Sequence, residues 1–103
     1  MSSMYSESIY FDAKHKDLVL EAFSLIHEEL RTNHRSSTWN LIEWEGKVKI
    51  TVEYDMPWLS HQENYAIVSL VAEVCEAFIR GYLIAKGISK QDIKACFSNN
   101  STI

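Results

Sequence analysis

Glu73 and Glu76 stand three residues apart, with Arg80 four residues beyond Glu76. On a helix this spacing puts all three on one face. Two carboxylates one turn apart can pass a proton between them and work as general acid and base. The same spacing more commonly makes a solvated stripe with an i,i+4 ion pair, and that is the reading adopted. Cys75 would be a nucleophile only with a base such as histidine beside it. It falls among apolar residues and reads as a small buried hydrophobe. The histidines His15, His27, His34 and His61 form no metal-binding spacing with one another, with cysteine or with a carboxylate. His27-Glu28-Glu29 lacks the second histidine of a zinc-binding H-E-x-x-H helix. Gly46, Gly81 and Gly87 are too scattered to cradle a phosphate. The residues predict no metal, no cofactor and no catalysis.

A different constellation stands out. Trp39, Trp44 and Trp58 all fall within 20 residues, interleaved with Tyr54, Glu43, Glu45, Glu53 and Asp55. Tryptophan and tyrosine anchor protein interfaces, and carboxylates around them steer a basic partner inward. Trp39, Glu43, Trp44, Glu45, Glu53 and Asp55 are therefore the expected partner-binding residues. The competing reading makes these aromatics core and the acids merely solubilising. The formal net charge of −4 argues against nucleic acid, whose phosphates need clustered Lys and Arg. Arg31, His34 and Arg35 form the one basic knot, and cations at a helix C-terminus explain it. Small, acidic, aromatic and without a catalytic motif, the chain resembles in general character the bacterial immunity proteins that neutralise toxins, and phage-encoded inhibitors. That likeness is one of character and rests on no specific residues. It implies a non-catalytic inhibitor that covers the substrate site of a basic partner such as a nuclease toxin.

The elements that position these residues follow from periodicity. Ser60 to Gly87 is the dominant helix. Ser60-x-x-Glu63 makes a capping box, and Gly87 supplies a left-handed stop. Ser69, Glu73, Glu76 and Arg80 leave only a narrow polar stripe, so this helix, 61–86, should be covered on most sides. A first helix, 13–32, follows Asp12. It places Val19, Ala22, Phe23, Ile26 and Leu30 on one face and Lys14, Asp17, Glu21, Ser24 and Glu28 on the other. Thr32–Ser37 is a polar loop. Val48, Ile50, Val52 and Tyr54 alternate with Lys47, Lys49, Thr51 and Glu53, the period of a half-buried strand. Glu45-Gly46 is the turn of a hairpin spanning 38–54. A two-residue loop puts Trp39 and Leu41 on the Val/Ile face, and a three-residue loop puts Ile42 and Trp44 there instead. Ile9, Tyr10 and Phe11 predict a short N-terminal strand within 5–11. Pro57 holds the connector extended, and Trp58 should pack under the start of the long helix. Ser89 should cap a last short helix, 90–97, with an Ile88–Ile93 staple. Residues 1–4 and 98–103 should be loose.

The expected fold is thus a single α+β domain, 1–103. It has a small antiparallel sheet with the long helix 61–86 and the amphipathic helix 13–32 packed on one face. Two cysteines make no disulfide framework, and the chain does not open like a secretory signal, so a reduced cytoplasmic setting is expected. Glu73, Glu76 and Arg80 near the middle of the apolar helix would each cost about 2.5–3.5 kcal/mol in a bilayer, which argues against a membrane role. The first helix, one sheet face and the last helix leave part of the long helix uncovered. Some of Val68, Val71, Phe78, Tyr82 and Ala85 are the expected remainder, and a symmetric homodimer would close it. Folding of Trp58 and Ile9–Phe11 over the gap would instead leave a monomer.

Overall fold

The structure is a computed structural model describing residues 5–33 and 37–93. The chain runs β1 (Tyr5–Asp12), a 3-10 turn (Ala13–His15), α1 (Lys16–Asn33), β2 (Thr38–Trp44), β3 (Lys47–Tyr54) and α2 (His61–Ala85). The sheet order is β1-β3-β2, and both outer strands are antiparallel to β3. β1 and β2 are therefore parallel, with α1 crossing between them and β3 inserted last, a split β-α-β arrangement. The expected α+β fold and the hairpin strands are as observed.

The turn decides which side chains face inward. Glu45 and Gly46 both take positive φ, 50° and 77°, the two-residue loop whose twist matches the flanking strands. Trp44 pairs with Lys47, Leu41 with Ile50 and Trp39 with Val52. Trp39 and Leu41 thus join the Val/Ile face, while Ile42 and Trp44 point away from it. β1 adds Ile9 opposite Ile50 and Phe11 opposite Val48. On the outer face, the Ser8 and Thr51 hydroxyls bond at 2.9 Å.

Asp12 caps the 3-10 turn, its carboxylate accepting from the Lys14 N–H at 3.0 Å, and α1 follows from Lys16 rather than starting at Ala13. It buries Val19, Ala22 and Leu30, with Phe23 and Ile26 packed alongside. Helix α2 buries Val68, Val71, Ala72, Cys75, Ile79 and Leu83 in one stripe against β1, β3 and α1. Its capping box is present: Ser60 Oγ accepts from Glu63 N–H and Glu63 Oε1 accepts from Ser60 N–H. Gly87 ends the helix at φ +100°, and the Ile88 N–H returns to the Leu83 carbonyl. Ser89 then caps a helical turn at 90–93, with Ile93 buried and Ile88 packed on the core. The remainder of the expected last helix, the terminal residues 1–4 and 98–103, His34, Arg35 and Cys96 lie outside the described residues. No helix among the described residues is long and apolar enough to cross a membrane.

Two expectations are corrected. Trp58 does not pack under α2: its side chain is 75% exposed. Met56 supplies the core contact from this connector, because Pro57 and Trp58 form a turn that swings the indole outward. The uncovered part of α2 also differs. Val68 and Val71 are buried, and Tyr82 is half-buried against α1. Phe78 and Ala85 are exposed as expected, and Leu70, Val74 and Ile84 are exposed as well. Sequence counting treated the helix as apolar almost all round, but the described residues cover the face centred on Cys75 and leave the opposite face exposed.

Candidate protein-binding surface

The six residues nominated from sequence do not form one surface. Trp39 points inward from β2. Its ring lies 5.9 Å from Phe23 and 6.0 Å from His27, and its indole N–H donates to Ser37 Oγ at 3.0 Å. It is a prop between sheet and α1. Glu43 lies on the same side, nearer the turn, where Lys16 Nζ meets its carboxylate at 3.3 Å. Trp44 stands on the outer face, 47% exposed. The Lys49 ammonium lies 5.5 Å from the Trp44 ring and 5.9 Å from the Tyr10 ring, a cation held between two aromatic faces. Glu45 is in the turn. Glu53 is on the outer face opposite Ser6 and Thr38, and Asp55 follows the end of β3. Five residues separate Val48, the partner of Glu43, from Glu53, which is about 17 Å of strand.

The hairpin tip therefore gathers Glu43, Trp44 and Glu45, while Glu53 and Asp55 sit at the far end. Between them, Lys47 and Lys49 lie on the outer face. Alternation along β3 puts these lysines on that face, and a linear count of acids cannot show it.

The backbone adds a feature that side-chain types do not advertise. β2 lies at the edge of the sheet. In a two-residue hairpin the flanking pair, here Trp44 and Lys47, exchanges both ladder bonds. Trp44, Ile42, Asn40 and Thr38 thus bond to β3, and Glu43, Leu41 and Trp39 turn their N–H and C=O groups outward. Thr38–Trp44 carries no lysine or proline, two of the devices that commonly blunt an edge, and Glu43 is its one charged side chain. Ile42 and Trp44 flank this edge with exposed apolar surface.

The would-be chemical residues occupy a different place. Cys75 is fully buried. Burial, reinforced by the negative charge of Glu76, pushes its thiol up to about 12, so it carries no thiolate at neutral pH. Burial also raises the Glu76 carboxyl above its ordinary value, against the pull of Arg80 and with a further push from Glu73. These three side chains, with Leu70, Val74 and Ala77, border an open groove on the outer side of α2. Among the described residues no three His, Cys, Asp or Glu side chains converge as a metal site would require.

Sequence reasoning missed Asn64. It is 1% exposed, and its side chain ties the connector to α2. Oδ1 accepts from the Met56 N–H at 2.9 Å. Nδ2 donates to the carbonyls of Met56, Leu59 and Ser60 at 3.1, 3.3 and 3.1 Å. It ends the polar run His61-Gln62-Glu63-Asn64, so nothing in the sequence set it apart from its exposed neighbours. Also missed was an aromatic cluster in which the Tyr5 hydroxyl bonds to His61 Nδ1. The Tyr5 ring stands edge-on to His61 and Tyr65.

No protein-family model matches the chain, and neither a curated protein nor a solved structure matches it.

Proposed function

We propose that this chain is a non-catalytic protein-binding module of the inhibitor or immunity type, acting in the cytoplasm on a basic partner such as a nuclease toxin. The observation that carries the reading is the outer edge of β2, free of lysine and proline, with Trp44 and Ile42 exposed beside Glu43 and Glu45 at the hairpin tip. An extended segment of the partner would add to the sheet by main-chain bonds. Trp44 would supply the anchor, and the two glutamates the attraction for a basic surface. The binding region is thus narrower than the sequence implied. Glu53 and Asp55 lie at its margin, and Trp39 acts by holding the edge in place.

Affinity capture from native-host lysate tests this, with wild type and a Glu43→Lys/Trp44→Ala/Glu45→Lys variant as parallel baits. A basic protein retained by wild type and lost by the folded variant supports the reading. Equal retention by both baits rules out the hairpin tip.

A second reading, self-association as a homodimer, is favoured by the exposed apolar face of α2. Sedimentation equilibrium at micromolar concentration tests it, and a single species near 11.9 kDa removes it.

A further inference from the structure

The outer face of α2 carries more detail than mere exposure, and the following rests on the self-association reading. Leu70 is 59% exposed, Val74 43% and Ile84 37%. With the exposed small residues Ala77 and Gly81 they recur at spacings of four, three, four and three, one continuous ridge opposite the core. Phe78, 37% exposed, flanks it. Helices α1 and α2 run antiparallel, and the Tyr82 hydroxyl donates to Glu21 Oε1 at 2.8 Å. One turn farther along each helix lie Phe78 and Leu25, the latter 59% exposed, so the apolar surface extends onto α1. Contiguous apolar patches larger than a few hundred Å² are rare on monomers and usually mark an interaction site.

Gly81 sharpens the case. A Cβ built there meets nothing within 4 Å, so packing inside the chain gives no reason for glycine. Glycine in a helix interior costs roughly 0.5–1 kcal/mol relative to alanine. What it permits is close approach of another backbone.

Charge selects the occupant and its direction. Glu73 and Arg80 flank the ridge seven residues apart, with Ala77 near their midpoint. A second copy packed parallel would set Glu73 level with Glu73 and Arg80 level with Arg80. Packed antiparallel, it sets Glu73 level with Arg80 twice over, and Leu70 level with Ile84. We propose that a second copy of this chain occupies the outer face of α2. The two helices run antiparallel about a two-fold axis beside Ala77, so that each Glu73 meets the partner's Arg80. A two-fold axis lets one patch cover itself. One helix pair with its flank is smaller than the roughly 800 Å² per partner of a standard interface, so the association is read over a wide concentration range. This face is separate from the β2 edge, and a dimer leaves both hairpins open.

Sedimentation equilibrium of the tag-free chain from micromolar to hundreds of micromolar tests the arrangement. Wild type should dimerise. Glu73→Arg and Arg80→Glu should each weaken the dimer by about tenfold or more, because like charges then meet. The double swap should restore it to within about threefold. A Cβ at position 81 meets nothing within 4 Å, so Gly81→Leu should not lower the thermal midpoint, should raise it by a few degrees through helix propensity, and should abolish the dimer. A dimer that the double swap does not restore overturns the antiparallel pairing and leaves self-association standing. A wild-type monomer throughout overturns both, and assigns the face to a partner of other chemistry.

Discussion

Replacing Asn64 with alanine should destabilise the domain more than any other single polar substitution at the start of α2. The side chain makes four hydrogen bonds, three of them at 2.9–3.1 Å, and is 1% exposed. Alanine leaves the connector's backbone groups without these bonds in a place poorly reached by water. A net hydrogen bond contributes about 1 kcal/mol, and a buried group left unsatisfied costs about 1–3 kcal/mol. The Ser60 carbonyl keeps its bond from the Asn64 N–H, so the loss falls chiefly on Met56 and Leu59. Together these give about 2–4 kcal/mol. At about 4–8 °C per kcal/mol for a domain near this size, the midpoint should fall by roughly 8–32 °C. Asn64→Asp should be no milder, because it keeps the acceptor, loses both donors and buries a charge. The assay is urea and thermal unfolding followed by circular dichroism, with exposed Gln62→Ala as the control. Hydrogen exchange should also accelerate at Met56 first. An Asn64→Ala midpoint within about 3 °C of wild type, less than one net hydrogen bond is worth, would refute the argument that this side chain holds the connector.

Native Cys75 should resist a thiol reagent at pH 8 and react only on unfolding, since burial holds its pKa at about 12; peptide mapping distinguishes it from Cys96. Glu76→Gln should stabilise at neutral pH: a carboxyl whose folded pKa is raised loses stability as pH climbs through its unfolded and then its folded value. That gain should vanish in acid below the unfolded glutamate range, as melts across pH will show. Glu45→Asn, giving Asn-Gly in a turn where both residues have positive φ, should raise the urea midpoint by the equivalent of about 0.5 kcal/mol. Trp58→Ser should change stability by less than about 0.5 kcal/mol and remove the tryptophan fluorescence most accessible to acrylamide, the indole being 75% exposed.

The fold was legible wherever local chemistry spoke with one voice. Ser60, Glu63 and Gly87 mark α2 through capping geometry, and the Lys47–Tyr54 alternation marks β3 through the pleat. The surface was harder to read. Whether Trp39 or Trp44 faces the core depends on the backbone angles of Glu45 and Gly46, and either loop length suits the side-chain pattern. Whether Leu70 or Val71 is buried depends on the rotation of α2 against the sheet. A helix apolar on most sides carries no moment strong enough to specify that rotation. The scatter of Glu43, Glu45, Glu53 and Asp55 has the same origin, because proximity along the chain says nothing about which face or end of a hairpin a carboxylate reaches. Asn64 was invisible because its partners are backbone groups, which every residue possesses.

The position of β3 between β1 and β2 also sets an order of events. β2 and β3 are joined by a two-residue turn and can pair within microseconds of forming. Among the described residues β1 has no neighbour in the sheet except β3: Asp12 waits for Lys47, and Tyr5 for Tyr54. Closing those loops of about 35 to 50 residues costs entropy that no local contact repays in advance. On a ribosome the first strand made is therefore the last to be paired. Until Tyr54 has emerged, its Ile9 and Phe11 stay exposed, and the nascent chain passes through its most aggregation-prone interval before α2 has been synthesised.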